Sequence, residues 1–146
     1  MKHYTAQDIA ALSTKQYRKT ALTLARPLTE EDYQERGGIV QTLEGPQSFD
    51  VGDFLCVGIA NEEWPMSQET FKKDKEYFED AEEPGFALYT TKGTKHATFV
   101  PEQFMVGDGN EPFTSKVDGG YIVYNDDPSE AWIVDKAIFE NSYEEA

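Results

Sequence analysis

The sequence predicts an α+β fold, mainly antiparallel β (barrel-like or sandwich), with short helices and two pseudo-repeats. Three observations lead to this fold class. Short apolar runs rich in strand-forming residues alternate with turn residues over most of the chain. The candidate helices are short and begin at capping residues. A stretch that begins at Gly52 is followed by a second, similar stretch that begins at Gly119.

The two similar stretches have the same order of residue types. Each has a glycine, an aromatic residue, an aliphatic run, a polar turn and then a tryptophan. Trp64 and Trp132 each stand seven residues before a phenylalanine, Phe71 and Phe139. We therefore predict a single compact domain over residues 1–146, built of two repeats. The predicted repeats cover residues 17–79 and 86–145, and a helix over residues 5–12 precedes them.

The first copy predicts a hairpin followed by a helix. The hairpin covers residues 54–66, and Asn61 in its turn tolerates a positive φ. Pro65 cannot donate a ladder hydrogen bond, so the return strand is expected either to lie at a sheet edge or to end there. Ser67 is a good N-cap for a helix over residues 68–78. In the second copy, Asp135 takes the place of Ser67 after a similar hairpin.

The remaining elements follow from alternation and from turn residues. Thr29 caps a helical turn that two glycines at 37 and 38 stop. An acidic run that ends in Pro-Gly, residues 79–85, is the best candidate linker. Further strands are predicted over residues 20–25, 39–43, 49–51, 86–91 and 96–100.

The first copy also resembles a known family. The residues that carry the resemblance are Thr42, Leu43, Glu44, Gly45, Gly52, Asp53, Phe54, Leu55, Gly58, Glu62, Trp64, Pro65 and Phe71. In this register they resemble the PGDYG-type small domain of bacterial and phage proteins of unknown function. The chain departs from that pattern at Val51, where the family has Pro, and at Asn61, where it has Gly. The resemblance implies a fold and no activity.

The charge of the chain limits its partners. The formal net charge is -15, and the half from residue 74 onward holds 17 of the 28 acidic residues but 5 of the 13 basic ones. Such a field repels nucleic acid, so no direct nucleic-acid binding is expected. It can attract a basic protein, or serve solubility alone. No apolar run long enough for a membrane span and no signal peptide is present in the sequence, which favours a cytoplasmic location.

One basic stretch stands out against this acidity. No acid occurs between Ile9 and Thr29, whereas four cations do. Together with an aromatic residue they could hold a phosphate or carboxylate, or they could only balance the acidic half of the fold. The candidate ligand-binding residues are Lys15, Tyr17, Arg18, Lys19, Arg26, Asp53, Glu62 and Trp64.

Several of these candidates also have a structural interpretation. Asp53 and Glu62 could act as an acid/base pair, but both also suit turns, and we favour the turn roles. Trp64 and Trp132 are expected to be core anchors rather than ligand platforms.

The usual signatures of catalytic and metal sites are missing from the sequence. It has one cysteine and two distant histidines, so no zinc set is expected, and no cofactor or catalytic residue is predicted. Cys56 lies inside an apolar run and is expected to be buried. Residues 107–112 share Asp, Asn and Gly with calcium loops but lack the EF-hand spacing.

Two functions are favoured from the sequence, and a third, a structural component of a particle, would need a stable oligomer in solution. The first is a non-enzymatic binding or interaction protein of phage or bacterial type, in a specific version an acidic inhibitor of a basic host protein. The alternative is a small-molecule binder or hydrolase that uses the N-terminal basic stretch to hold a nucleotide or another phosphorylated ligand.

Overall fold

A computed structural model describes residues 1–107 and 111–146 of the chain. The α-helices in this part are α1 (Ala6–Ala10), α2 (Glu30–Arg36), α3 (Gln68–Asp74) and α4 (Lys136–Ser142), and residues Pro128–Glu130 form a single 3-10 turn. The strands are β1 (Lys2–Tyr4), β2 (Lys15–Lys19), β3 (Thr23–Pro27), β4 (Ile39–Thr42), β5 (Gly45–Ser48), β6 (Phe54–Val57), β7 (Glu63–Met66), β8 (Lys75–Asp80), β9 (Ala87–Thr91), β10 (Lys95–Val100), β11 (Phe104–Val106), β12 (Phe113–Thr114), β13 (Gly120–Tyr124), β14 (Trp132–Val134) and β15 (Tyr143–Glu145).

The chain forms two compact units, each made of segments that are separate in the sequence. Unit 1 consists of Met1–Arg18, Leu43–Gly45 and Thr94–Ala146. Unit 2 consists of Lys19–Thr42 and Pro46–Gly93. Each unit holds one five-stranded sheet whose strand pairs are mostly antiparallel, so the prediction of a mainly antiparallel β fold with short helices is confirmed.

The sheet of unit 2 has the strand order β7-β6-β3-β9-β8 and carries a core on each face. Helix α3 covers one face, where its Phe71 packs with Ala25 and Cys56. The opposite face packs against the segment that holds α2 and β4, and its buried residues are Leu28, Val40, Phe49 and Leu55. Because successive side chains of a strand point to opposite faces, Leu55 and Cys56 belong to different cores.

The sheet of unit 1 has the strand order β14-β13-β10-β2-β15. Helix α4 covers one face through Phe139, which packs with Ala97 and Val123. Ile9 of α1 and Phe104 of β11 belong to the core on the other face. A smaller three-stranded sheet, β1-β11-β12, completes this unit, and its pairing of β1 with β11 is parallel.

Capping residues begin the helices where the sequence places them. Thr5 and Thr29 each form a capping box with an aspartate three residues later, Asp8 and Asp32. Ser67 caps α3 and Asp135 caps α4, each through its side-chain oxygen. Gly37, at φ 63°, ends α2 in the left-handed conformation that glycine adopts without strain.

The structure corrects the predicted architecture in one respect. Each five-stranded sheet ends in strands that pair on one side only, β7 and β8 in unit 2 and β14 and β15 in unit 1. Within the described residues neither sheet closes, so the barrel-like alternative is wrong. The position of Pro65 in the edge strand β7 agrees with its missing donor.

Several element boundaries also differ from the prediction. The helix expected over residues 68–78 ends at Asp74, and the chain continues as β8. The return strand expected over residues 49–51 is instead β5, because Phe49 leaves the strand to enter the core of unit 2. The predicted helix over residues 5–12 ends at Ala10, where a tighter turn follows.

Candidate functional site

A group of polar side chains lies at one end of the α3-covered face of unit 2. We call it the lysine cluster and define it as Lys19, Lys75, Cys56, Trp64 and Asp74. The β-sheet register brings Cys56 directly opposite Trp64. In an antiparallel pair, residues directly opposite each other point to the same face, so both lie on the face that α3 covers.

Lys75 enters this cluster because α3 stops one residue before it. Its backbone is extended (φ -113°, ψ 147°), and its N–H donates to the carbonyl of Phe71. The side chain is only 4% exposed. Its ammonium lies 3.0 Å from the carboxylate of Asp74 and donates to the hydroxyl of Thr91 at 2.7 Å. A buried ammonium needs such partners, because leaving water is costly for a charge.

Lys19 is the second cation of the lysine cluster. Its ammonium lies 4.9 Å from the centroid of the Trp64 ring, a cation–π contact. Burial lowers the pKa of Lys19 to about 8, and the nearby ammonium of Lys75 acts in the same direction. Cys56, Glu62 and Asp74 oppose this shift. At neutral pH a measurable fraction of this amine is therefore unprotonated.

Two buried side chains on this face carry no charge at neutral pH, Cys56 of the lysine cluster and Thr23 beside it in the core. Cys56 is fully buried, as predicted, and burial raises the pKa of its thiol to about 12. The thiol is therefore protonated at neutral pH and is not a nucleophile. Thr23 is also fully buried, and in the described part of the chain its hydroxyl has no hydrogen-bond partner.

The predicted cations do not all join this cluster. Arg26 points to the opposite face of the unit 2 sheet, where its guanidinium binds both carboxylate oxygens of Asp32, at 2.6 and 2.8 Å. This pairing and the Thr29 hydrogen bonds hold the pKa of Asp32 well below its usual range. Arg26 therefore lies on the opposite face of the unit 2 sheet from Trp64, the residue that Lys19 contacts.

The other predicted cations and Tyr17 belong to unit 1. Lys15 lies 3.8 Å from the carboxylate of Glu145, with both side chains exposed. Tyr17 packs edge-on against Phe139, at 4.9 Å between ring centroids. Arg18 is exposed.

The two predicted acids are engaged in turns. The carboxylate of Asp53 accepts a hydrogen bond from the backbone N–H of Asp50 at 2.8 Å. The carboxylate of Glu62 accepts one from the N–H of Ala60 at 3.0 Å. Both hydrogen bonds agree with the turn roles favoured from the sequence. Asn61, which lies beside Glu62 in its turn, has φ 60°, as predicted.

Sequence reasoning misses Lys75 and Asp74 as members of the cluster. The sequence pattern places both inside a longer helix, with Lys75 on the same predicted face as Phe71. The signal that could have located them is the pair of adjacent aromatic residues Tyr77 and Phe78. Such a pair favours a strand over a short amphipathic helix.

A second feature of unit 2 is the edge strand β8, which within residues 1–107 and 111–146 pairs with β9 alone. Tyr77 and Phe78 on this strand are 57% and 56% exposed. A β-bulge between Tyr77 and Glu79 interrupts the pairing of β8 with β9. The acidic residues in and just after the strand are all exposed: Glu76, Glu79, Asp80, Glu82 and Glu83. We call residues 76–83 the acidic edge.

The described residues contain no group of three or more metal-binding side chains, and none of their helices is long and apolar enough to cross a membrane. The loop compared above with calcium loops includes residues 108–110, which lie outside the described residues.

The comparisons with known proteins identify no relative. No family model, no curated protein and no solved structure matches the chain. The resemblance to the PGDYG-type domain therefore stays a prediction from the sequence.

Proposed function

We propose that the protein is a binding protein that recognises a basic segment of another protein through the acidic edge. The observation that carries this proposal is the exposure of Tyr77 and Phe78 on a strand that pairs on one side only. Half-exposed aromatic residues on an edge strand supply apolar contact, and the acids around them supply charge selectivity.

The charge of the acidic edge favours one kind of partner. An edge strand presents unpaired N–H and C=O groups, to which an extended peptide can add as a further strand. Five acids and no base lie between residues 76 and 83. Two copies of this strand would repel each other if they paired, whereas a strand rich in Lys and Arg would not. In the described part of the chain no salt bridge involves these five acids.

The small-ligand alternative has narrower support. Of the four cations named for it, Lys15 and Arg26 are paired with carboxylates, and Arg26 lies on the opposite face of the unit 2 sheet from Trp64. Only Lys19 lies beside the predicted stacking residue Trp64. We therefore rank this alternative second. A bacterial or phage origin and a cytoplasmic location stay predictions from the sequence.

A labelled peptide tests the proposal. A fluorescent octapeptide of alternating Lys and Val has the charge and the extended preference that the acidic edge requires. We expect it to bind the protein, and we expect binding to weaken by about ten-fold between low and high salt. The double substitution Glu76→Gln/Glu79→Gln, and separately Phe78→Ser, should each reduce affinity at least about five-fold.

A matched control separates the acidic edge from bulk charge. Glu102→Gln/Asp126→Asn removes the same number of charges from exposed positions of unit 1, and it should leave the affinity within about two-fold. An equal loss in both double variants would show that only net charge matters. A peptide with alternate amides N-methylated should not bind, because it cannot complete the ladder. Undiminished binding of that peptide would contradict strand addition.

We also propose that the two units are copies of one module, as the sequence repeat predicts. In each sheet a hairpin forms one edge (β7-β6 and β14-β13), and the strand that follows the Phe-bearing helix forms the other (β8 and β15). β3 and β10 hold equivalent places, and so do β9 and β2.

If the strands of the two sheets are equivalent in this way, the boundaries of the repeats differ from those predicted from the sequence. In unit 2 the module runs without interruption from β3 to β9. In unit 1 it runs from β10 to β15 and takes its remaining strand, β2, from the N-terminal part of the sequence. A backbone hydrogen bond of 2.9 Å from Ala146 to Gln16 lies where β15 meets β2. The module proposal thus assigns β2 to the second copy, whereas the sequence repeat places Tyr17 in the first.

A further inference from the structure

We propose that the unit 2 sheet carries a second docking surface, which takes a basic amphipathic helix of the partner. The inference rests on the proposed function for the basic character of that partner, but its surface is a face of the sheet and not the edge. Its basis is a row of partly exposed aliphatic side chains at a place where unit 1 has a buried core. We call Leu24, Val57 and Leu88 the apolar row.

The β-sheet register defines the apolar row. Leu24 of β3 lies opposite Val57 of β6 on one side and opposite Leu88 of β9 on the other. The next residues along β3 and β6, Ala25 and Cys56, point to the face that α3 covers, so the apolar row points to the other face. All three side chains are partly exposed, and in the described part of the chain they belong to none of the four cores.

The segment that covers this face ends before the apolar row. Leu55, two residues before Val57 on β6, is 1% exposed, because the segment that holds α2 and β4 packs on it. Beyond the row the exposure increases: Leu22, just before β3, is 37% exposed, and Ile59, just after β6, is 50% exposed. Because β3 and β6 are antiparallel, these two residues lie at the same end of the sheet. The apolar surface therefore extends from the row to this end.

The corresponding place in unit 1 shows what kind of element covers such a surface. The residue that follows the one opposite the tryptophan is Val57 in unit 2 and Tyr124 in unit 1. Tyr124 is only 8% exposed, and it shares a core with Ala131 and with Ile9 of helix α1. Helix α1 packs against the 3-10 turn of the β13-β14 hairpin. Because α1 is not one of the elements of the module, a helix from elsewhere completes this face in unit 1.

The charges beside the apolar row favour a basic helix. The same register places Glu63 at one end of the row and Glu79 at the other. Glu63 is paired with Arg36 at 3.1 Å, whereas in the described part of the chain no salt bridge involves Glu79. Glu76 points to the same face, since its partner Thr90 is two residues along β9 from the row. A helix that lays apolar side chains on the row can therefore direct lysines toward Glu76 and Glu79.

A labelled helical peptide tests the inference on the whole protein. A fluorescent peptide of about 14 residues carries leucines at i, i+3, i+4 and i+7 spacing and lysines elsewhere. We expect it to bind, and to gain helical circular dichroism as it binds. A scrambled peptide of the same composition has no apolar face and should bind at least about five-fold more weakly. Equal affinity of the two peptides would overturn the proposal, because the attraction would then depend on charge alone.

Substitutions locate the helical peptide on the protein. Ile59→Ser/Val57→Thr removes apolar area from the surface and should reduce the affinity at least about ten-fold. Val51→Ser/Val117→Thr removes a similar area at positions that are 50% and 80% exposed elsewhere in the chain, and it should leave the affinity within about two-fold. Ile59→Ser alone changes only an exposed turn, so it keeps the test decisive if Val57→Thr disturbs the strand. It should reduce the affinity at least about three-fold, and equal losses in the two double variants would overturn the proposal.

Competition with the Lys/Val octapeptide separates this surface from the acidic edge. At physiological salt an excess of octapeptide should leave the helical peptide bound, because one peptide occupies an edge and the other a face. Displacement would overturn the second surface. If the octapeptide does not bind but the helical peptide binds in a manner that depends on Ile59, strand addition fails and the docking face stands. The converse result removes the docking face alone.

Sedimentation of the free protein tests a second copy as the occupant. We expect a monomer whose behaviour Ile59→Lys does not change. A dimer that Ile59→Lys dissociates would show that another copy of the chain covers this surface, and it would overturn the proposal.

Discussion

The two helix-covered faces of the molecule have nearly the same aromatic packing. In unit 2, Phe71 stacks on Phe54 with ring centroids 3.9 Å apart and meets Tyr89 edge-on at 4.8 Å. In unit 1, Phe139 stacks on Tyr121 at 3.9 Å and meets Tyr17 edge-on at 4.9 Å. In each unit, one buried phenylalanine with a stacked and an edge-on ring beside it therefore attaches the helix to its sheet.

The residues around these rings differ between the two units. The position after the helix is Lys75 in unit 2 and Tyr143 in unit 1, and each donates its N–H to the carbonyl of the buried phenylalanine. Opposite the tryptophan stands Cys56 in unit 2 and Val123 in unit 1. Unit 1 builds its helix-to-sheet packing without the lysine cluster, so this packing does not require two lysines in unit 2.

The edge strands that follow the two helices, β8 and β15, also differ between the units. The strand after the helix is six residues long in unit 2, where its two exposed aromatic residues lie among acids. In unit 1 the corresponding strand has three residues, and the ring of Tyr143 stacks on Phe139 at 4.4 Å. Unit 2 thus holds both features that the shared packing leaves unexplained, the lysine cluster and the acidic edge.

The largest expected change in stability tests the aromatic packing that the two units share. Phe71→Ala and Phe139→Ala should each destabilise the protein by about 3–5 kcal/mol, because each removes a buried ring that packs against at least two others. Urea unfolding gives the free energies of unfolding. If either substitution costs less than about 1 kcal/mol, the two faces are not held in the same way.

The next effect concerns the two capping boxes. Asp32→Asn should cost about 2–4 kcal/mol, because it breaks the bidentate pair with Arg26 and weakens the cap of α2. Asp8→Asn changes the same box in α1 and should cost less, since the Asp8 carboxylate accepts from the N–H of Thr5 and, in the described part of the chain, has no arginine partner. Urea unfolding of both variants measures the difference, and equal losses would show that the Arg26 pair adds nothing.

The pH dependence of the Asp32 contribution follows from its lowered pKa. The stabilisation is complete above the pKa of the unfolded aspartate. It is lost as the pH falls below that value towards the folded pKa, because the unfolded state then binds the proton first. The stability gap between wild type and Asp32→Asn should therefore narrow below about pH 4.

Replacing Lys19 should change the free energy of unfolding by a smaller amount and in the opposite direction, so that the variant is more stable than wild type. Its pKa is lowered, so the unfolded chain binds more protons than the folded chain between about pH 8 and 10, and stability rises with pH there. Lys19→Met should be more stable than wild type by about 1–2 kcal/mol at pH 7, and the gap should close through that window. Lys72→Met on the exposed side of α3 should stay within about 0.5 kcal/mol at every pH. If the difference in stability between Lys19→Met and wild type does not depend on pH, that result contradicts the lowered pKa of Lys19.

The smallest expected effect tests the module proposal. A circular permutant that joins Ala146 to Met1 through a Gly/Ser linker and opens between Lys92 and Gly93 makes both modules continuous. We expect it to fold with the native circular dichroism spectrum and a midpoint within a few degrees of wild type. A control permutant opened between Cys56 and Val57, inside a central strand, should not fold. If the permutant opened between Lys92 and Gly93 does not fold, that result contradicts the proposal that the two units are copies of one module.

Local signals predict much of the fold. The hairpin of β6 and β7, the turn at Asn61 and the caps at Ser67 and Asp135 rest on neighbouring residues, so sequence patterns are enough. The end of α3 at Asp74 is not predicted, because Lys75 and Phe78 fit a helical period equally well and the sheet pairing of β8 decides between the two. The pairing of β2 with β10 joins strands about 80 residues apart, which no local pattern specifies.

The candidate site is less predictable for the same reason. The sequence marks Lys19 and Trp64 as separate candidates, but their contact depends on long-range packing. Arg26 resembles Lys19 in the sequence, and only the alternation of β3 sends it to the other face to meet Asp32.

The most direct test of the assignment to unit 2 is an amide NMR titration with the Lys/Val octapeptide. We predict shifts concentrated in β8, its neighbour β9 and residues 81–85, with β15 and β2 unchanged. That result would place the binding surface at the acidic edge. Shifts spread over the exposed acids of both units in proportion to their charge would contradict it, because they would show attraction to net charge without a site.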